Sequence, residues 1–503
     1  MQQINCPSCG AEISFRSSAA IMAVCEYCRS TLVKDADSVK DIGKMSTVLE
    51  DYTPLQLNTS GQWKGQGFEL VGRIQLRYES GLWNEWYLLF DDGSDGWLAD
   101  ASGQYMLTRR ALTDQAATAL QPRFEALHPG SNLGFAKRNW VASDVRTAHC
   151  TGGEGELPFT AGAGWTAQVA DFRDAGSFLT LDYADGYPPA AYVGELVTLE
   201  QLKLQLQRNA DDIDRSADRY LGKAMPLACP ACGSPIAYRA GIANYVVCGN
   251  CHSQIDCTES TAVVLKKQSE LKAIKSSLKP GESGRIGGQP WTVLGLMQCT
   301  DDDKDEPSTW IEYLLFNEEQ GLLWLIEQDD GWDRVKVLDE WPRLSSATVA
   351  TWHGGNFRKG FEYRSRVLYV AGTFNWRVHV GDSTLLTEFG ESGLRLTRET
   401  SNTEIVWTRS TRIPRAQVAQ WFKDNEALAV ARPEAASGKP NAGDLVFCRK
   451  AALWYSIALG LLSMPMLEET GSGWLVVGFQ ILLLWGPLLL MDPKWLLDLA
   501  KED

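Results

Sequence analysis

The sequence predicts a mainly β chain: two small four-cysteine zinc ribbons, two antiparallel all-β domains, linking helices and a C-terminal transmembrane helical hairpin. Three observations carry this. A pattern of CxxC, fifteen residues and CxxC is written twice, tryptophan-rich β patterns follow each copy, and two uncharged apolar runs close the chain.

The first ribbon (1–45) holds Cys6-Pro-Ser-Cys9 and Cys25-Glu-Tyr-Cys28, and the second (223–262) holds Cys229-Pro-Ala-Cys232 and Cys248-Gly-Asn-Cys251. Two residues between cysteines let a tight turn aim both thiolates at one ion, and two such turns complete a tetrahedron of sulfurs at about 2.3 Å from zinc. Gly10 and Gly233, each directly after a CxxC pair, suit turns that need positive φ. Residues 1–6 show neither a basic nor an apolar leader pattern, so a reducing compartment and Zn2+ are expected over disulfides. With four ligands used per ion, both sites are expected to be structural.

The first all-β domain is placed at 50–198 and the second at 281–424. Phe68-Glu-Leu-Val-Gly72, Trp83-Asn-Glu-Trp-Tyr-Leu-Leu-Phe90 and Gly96-Trp97-Leu98 are echoed by Trp291-Thr-Val-Leu-Gly295, Trp310-Ile-Glu-Tyr-Leu-Leu-Phe316 and Trp324-Leu325. Tyr-Leu-Leu-Phe at 87–90 and 313–316 sets the expected register between copies. Short β-rich runs between Asp/Gly turns indicate antiparallel sheets, with further strands at 165–172, 178–183 and 189–196, then 366–370, 376–380, 394–400 and 404–409. Helices are expected at 199–222 and at 263–280. The second is basic, through Lys266, Lys267, Lys272, Lys275 and Lys279, and offers a contact for anionic lipid.

A flexible linker (433–447) leads to the expected hairpin and short tail (449–503). Apolar runs 451–467 and 474–491 approach the length that spans a bilayer, and each lacks the polar stripe of a core helix. Arg449, Lys450, Lys494 and Lys501 flank the runs, while the intervening loop carries Glu468 and Glu469. The positive-inside rule then predicts the inner (cytoplasmic) membrane, with two helices and both termini cytoplasmic.

Composition narrows function. With 503 residues, 44% hydrophobic and 22% charged, several globular domains are expected. A net charge of −15 opposes general attraction to nucleic acid. Five histidines and the scattered Cys150, Cys257, Cys299 and Cys448 leave little for catalysis, and no catalytic residue is predicted.

The second β pattern resembles a bacterial family catalogued as domain of unknown function 4178, through Trp310-Ile-Glu312-Tyr-Leu-Leu-Phe316, Gly321-Leu-Leu-Trp324-Leu325-Ile-Glu327 and Gly372-Thr-Phe-Asn-Trp376. The first is similar but diverged, with Gly155-Glu156-Leu-Pro158-Phe159 matching the family's Gly-Glu-x-Pro-Phe/Trp segment. The resemblance implies no catalytic residues. It implies a cytoplasmic zinc-ribbon setting with membrane segments, beside polyamine-synthesis-like enzymes, and hence envelope or membrane maintenance.

The expected function is a membrane-anchored cytoplasmic adaptor or scaffold with an unidentified protein partner. The alternative is a sensor or enzyme for a small cationic metabolite such as a polyamine. Its candidate residues are Glu85, Glu312, Glu327, Asp329 and Asp330 near Trp83, Trp86, Trp310, Trp324 and Trp332, since acids with aromatics can hold ammonium groups. A nucleic-acid-binding ribbon ranks last, because Arg16 and Arg29 only balance Glu12 and Glu26.

Overall fold

Strands that alternate their side chains between two faces build a thirteen-stranded and a fourteen-stranded antiparallel sheet. The structure, a computed structural model, describes residues 2–209 except 36–37, 46–47, 49–52, 79–80, 102, 112–121 and 163–164. It also describes 227–425 except 237–244, 258–262, 267–273, 304–306, 318–319, 392 and 424, together with 428, 452–457, 479 and 485.

Each large sheet closes on itself. In the first, eight strands run round a ring as Gln66–Arg77, Leu82–Phe90, Asp95–Ala101, Gln104–Arg110, Ala190–Val197, Ser177–Asp182, Thr166–Asp174 and Arg138–Leu157. The last pairs with the first through Cys150 to Gly155. The second ring repeats this with Gln289–Thr300, Thr309–Asn317, Gly321–Gln328, Gly331–Val337, Ile405–Ile413, Leu394–Thr400, Ser383–Glu391 and Gly355–Phe374. Eight strands enclose a lumen that side chains can fill or that can admit one small ligand.

The closing seams require glycine. Gly72 stands opposite Gly155, and Gly295 opposite Gly372. A Cβ on Gly72 would lie 1.7 Å from the Glu156 carbonyl oxygen. Gly155 and Gly372 have φ of +68° and +99°, a region that glycine enters without strain.

Each ribbon hairpin then joins its seam. Met22–Val24 pairs with the long strand at Gly155 to Leu157, and Tyr245–Val247 pairs with its counterpart at Gly372 to Phe374. The barrel wall therefore runs on into the ribbon as one sheet. Glu156 secures the first junction by accepting from the Arg16 and Ser17 backbone N–H groups and from Arg16 Nε at 3.0 Å.

The expected register between copies is corrected by one residue. Gly72 pairs with Tyr87 but Gly295 pairs with Leu314, each after a bulge, so Trp83-x-Glu85 superposes on Trp310-x-Glu312. The shared Tyr-Leu-Leu-Phe strings are thus displaced relative to each other, and a one-residue slip puts Tyr87 and Tyr313 on opposite faces. Tyr313 lies outside, stacked on Trp332 at 5.6 Å.

Among the described residues, outer faces are covered by short segments rather than by long helices. Trp86, Leu88 and Phe68 of the first barrel pack under Leu55 and Leu202, whereas Tyr313, Leu323 and Leu325 of the second pack under Leu278, Val418 and Phe422. Val418 belongs to α1 (Arg415–Trp421).

Both linking-helix expectations are corrected where the chain is described. Residues 199–205 form turns whose backbone bonds to the edge strand, from Gln62 N to Leu202 O at 2.8 Å and from Gln205 N to Ser60 O at 2.8 Å. Those edge bonds satisfy the groups that a helix would have paired internally. In the second linker Val263–Lys266 is a strand on Gln254–Asp256, and 274–278 is irregular. Residues 210–226 and 267–273 lie outside the described residues, and with them Lys267 and Lys272. The expected strand 376–380 is likewise absent, and Ser383–Glu391 takes its place in the ring.

The membrane placement is corrected too. Among the described residues no helix is long and apolar enough to cross a membrane. The helix α1 has seven residues. Such a helix rises about 10 Å, against a hydrocarbon core of about 30 Å. The inner-membrane placement on two spanning helices is therefore withdrawn. The apolar runs 451–467 and 474–491 and the linker 433–447 fall outside the described residues, apart from 452–457, 479 and 485. Residues 431–503 form a unit separate from residues 1–430. Within it Ser456 Oγ donates to the Ala452 carbonyl and accepts from Trp485 Nε1 at 3.0 Å.

The two barrels meet along unlike surfaces. Val145 N donates to Thr403 O at 3.0 Å, Trp341 N to Ala175 O at 3.2 Å, and Arg343 pairs with Asp174 at 2.9 Å.

Candidate metal centres and acidic lumens

CxxC turns put their sulfurs on one side of each ribbon hairpin. Cys6, Cys9, Cys25 and Cys28 converge, as do Cys229, Cys232, Cys248 and Cys251, with all four sulfurs of each group within 4.8 Å of one another. The Cys6–Cys28 and Cys9–Cys25 sulfurs are 3.7 Å apart, and Cys229–Cys251 and Cys232–Cys248 are 3.6 and 3.7 Å apart. A tetrahedron with metal–sulfur bonds of about 2.3 Å has edges of about 3.8 Å, so both groups fit a four-thiolate ion. Serine favours the thiolate at Cys28 and Cys232, since hydrogen bonds to the charged form stabilise it, while burial pushes Cys229 and Cys248 up. The bonds from Ser30 lower Cys28 to about 6, and those from Ser234 lower Cys232 to about 5. Each cluster can hold one metal ion, with no ligand position left over.

The lumens carry the other concentration of chemistry. Trp83 Nε1 donates to Glu85 at 2.8 Å, and Trp310 Nε1 donates to Glu312 at 2.7 Å. Both glutamates are enclosed by protein yet keep accessible surface, as lumen walls do. Burial pushes Glu85 up to about 8 and raises Glu312 as well, with the indole bond opposing.

Around Glu85 the first lumen adds Asp144, Asp171 and Arg146. Arg146 Nε lies 2.5 Å from Asp144, and its Nη2 lies 3.5 Å from Asp171. The guanidinium also sits over the Trp83 ring at 4.7 Å, a cation–π placement. Burial lifts Asp144 to about 7 and raises Asp171, because one cation does not offset the desolvation of three carboxyls. Around Glu312 the second lumen adds Glu399, raised to about 8 by burial and by Glu312, and bonded by Thr408 Oγ1 at 3.2 Å.

A profile described as Domain of unknown function (DUF4178) matches residues 56–199 and 279–415, one match for each barrel. The chain belongs to this family. Comparison with curated proteins finds no match. Each DUF4178 barrel is preceded by its own cysteine cluster.

The expected acid-and-aromatic candidates are divided by the DUF4178 fold. Glu85 and Glu312 share equivalent lumen positions with Trp83 and Trp310. Trp324 packs against Trp376 at 5.3 Å. Glu327 lies outside, accepting from Tyr313 OH at 2.5 Å and from Ser277. Asp330 pairs with Arg412 at 2.7 Å, Asp329 occupies the same exposed turn, and Trp86 and Trp332 are buried in outer-face packing. Asp144, Arg146, Asp171 and Glu399 escaped sequence reasoning. Their signal is the alternation Asp144-x-Arg146 and Asp171-x-Arg173, which reads equally well as a solvent-facing strand.

Proposed function

We propose that this chain is a non-catalytic adaptor in which zinc fixes each ribbon as a rigid extension of its barrel. The observation that carries this is the continuous pairing from barrel seam to ribbon hairpin, repeated in both copies. Zinc suits four thiolates at this spacing and a closed tetrahedral site. The first ribbon offers a protein partner the exposed apolar side chains of Ile21, Tyr27 and Ile42. Elemental analysis is expected to give two zinc ions per chain. A near-stoichiometric partner is expected to co-purify with the intact protein and to be lost from the Cys229→Ser, Cys232→Ser variant. Retention of that partner by the variant, or no partner in either sample, removes the adaptor reading.

A second reading rests on the Trp–Glu pair placed alike in both lumens: recognition of a small amine such as spermidine. Below a pKa near 8 Glu85 is neutral and gives an ammonium group no counter-charge, while above it the carboxylate does. Spermidine binding measured by calorimetry is therefore expected to tighten from about pH 6.5 to about pH 8.5, and Glu85→Gln is expected to reduce that dependence, leaving the part that Asp144 and Glu399 contribute in the same window. Heats that are absent at millimolar spermidine at both pH values rule this reading out.

A further inference from the structure

Like charges directly opposite on paired strands destabilise a sheet. The second barrel nevertheless places Lys336 opposite Arg409 on neighbouring strands, with Arg334 two residues along the same face. The alternate residues Asp333 and Val335 are buried inward, where Asp333 binds Arg395 at 2.6 Å, so Arg334 and Lys336 lie on the outer face.

Among the described residues no carboxylate forms an ion pair with Arg334, Lys336 or Arg409. Burial, together with Arg409, lowers the pKa of Arg334, and burial, with Arg334 and Arg409, lowers that of Lys336. The carboxylate acting on Lys336 from nearby is Asp339, which already accepts from Gln104 at 3.2 Å.

The fold does not require these cations. Leu98 pairs with Leu107 where Leu325 pairs with Arg334, so the corresponding positions of the first barrel are Leu107, Arg109 and Val193. There a single cation has Glu195 on the adjacent strand, itself paired with Lys64 at 3.0 Å. In a chain of net charge −15, three unneutralised cations on one copy alone select for negative ligands. Trp352, 5.9 Å from the Arg409 guanidinium, borders the patch, as does exposed Leu394.

We propose that Arg334, Lys336 and Arg409 form an oxyanion site on the outer face of the second barrel, taking a phosphoryl group that is either free or part of a lipid headgroup. Three donors converging on one dianion supply charge-assisted hydrogen bonds and relieve their mutual repulsion.

The test uses the full chain and the variant Arg334→Leu, Arg409→Val, which installs the residues of the first copy. Inorganic pyrophosphate titrated by calorimetry at low salt is expected to bind the wild type saturably and the variant roughly tenfold or more weakly. Without anion, the variant is expected to melt above the wild type, because repulsion is removed. Sedimentation with phosphatidylglycerol vesicles, against phosphatidylcholine, separates the sources: retention that the variant loses indicates a headgroup, and pyrophosphate binding alone indicates a soluble ligand. Should that variant misfold, Arg409→Gln carries the same comparison. Equal pyrophosphate affinity in wild type and variant, or no binding of either probe, overturns the site.

Discussion

Chelating the metal from the ribbons is expected to open the barrel seams as well as the ribbons. Structural zinc in such modules contributes on the order of 10 kcal/mol to folding, and a ribbon this small has little core besides its thiolates. The first has Cys6, Cys25 and Leu32 as one buried cluster and Phe15, Ala20 and Ala23 as another, and the second adds Ile236, Val246 and Ile255 to its cysteines. Met22–Val24 and Tyr245–Val247 hydrogen-bond directly to the long strands, so loss of the hairpin exposes the edge of each strand just past its closing glycine. Amide exchange at Glu156, Leu157, Thr373 and Phe374 should accelerate roughly 100-fold, a local loss of about 3 kcal/mol. The far strands Ser177–Asp182 and Leu394–Thr400 should keep their protection. Unchanged exchange at those four residues in verified metal-free protein would refute the coupling.

Gly72→Ala is the second large effect. The added carbon would sit 1.7 Å from the Glu156 carbonyl oxygen, a backbone atom of the strand that both closes the barrel and receives the ribbon, so no flexible side chain can yield. Destabilisation of about 4 kcal/mol or more is expected, in the range reserved for steric strain at a special position. Gly134→Ala is the control, because no atom lies within 4 Å of its Cβ and its φ is not in the left-handed region. It should fall within about 0.5 kcal/mol of the wild type in urea unfolding. A change below about 1 kcal/mol for Gly72→Ala would mean that the seam relaxes and does not constrain the barrel.

The two cysteine clusters were legible because their geometry is local: two cysteines two residues apart need only one turn to converge. The β class was legible for a similar reason, since period-two patterns and Gly/Asp turns act over a few residues. What failed was anything settled by partners distant in sequence. Val263–Lys266 has helical neighbours in composition, yet pairing with Gln254–Asp256 decides it. The shared Tyr-Leu-Leu-Phe string misled because the bulges after Leu70 and Val293 are equivalent and the facing residue is set by the hairpin between the strands, Tyr87 opposite Gly72 but Leu314 opposite Gly295, which a string match cannot sense. Whether Glu85 faces water or a lumen depends on ring closure by Cys150 to Gly155, far along the chain.

The contact between the barrels joins unlike surfaces: Gln104, Asp144, Val145, Asp174 and Ala175 of one copy meet Asp339, Trp341, Arg343, Thr403 and Glu404 of the other. Head-to-tail contact between similar modules has no intrinsic endpoint, and repetition of it would generate a ring or a filament. The two copies differ at the edge that makes this contact. The turn of the first copy that corresponds to 401–404 is the longer 183–189, held by Tyr183 against Phe124 at 5.5 Å and by its hydroxyl on the Pro122 carbonyl at 2.7 Å. The first copy therefore presents a different edge from the one the second copy uses here, and the two barrels are not interchangeable in the pair.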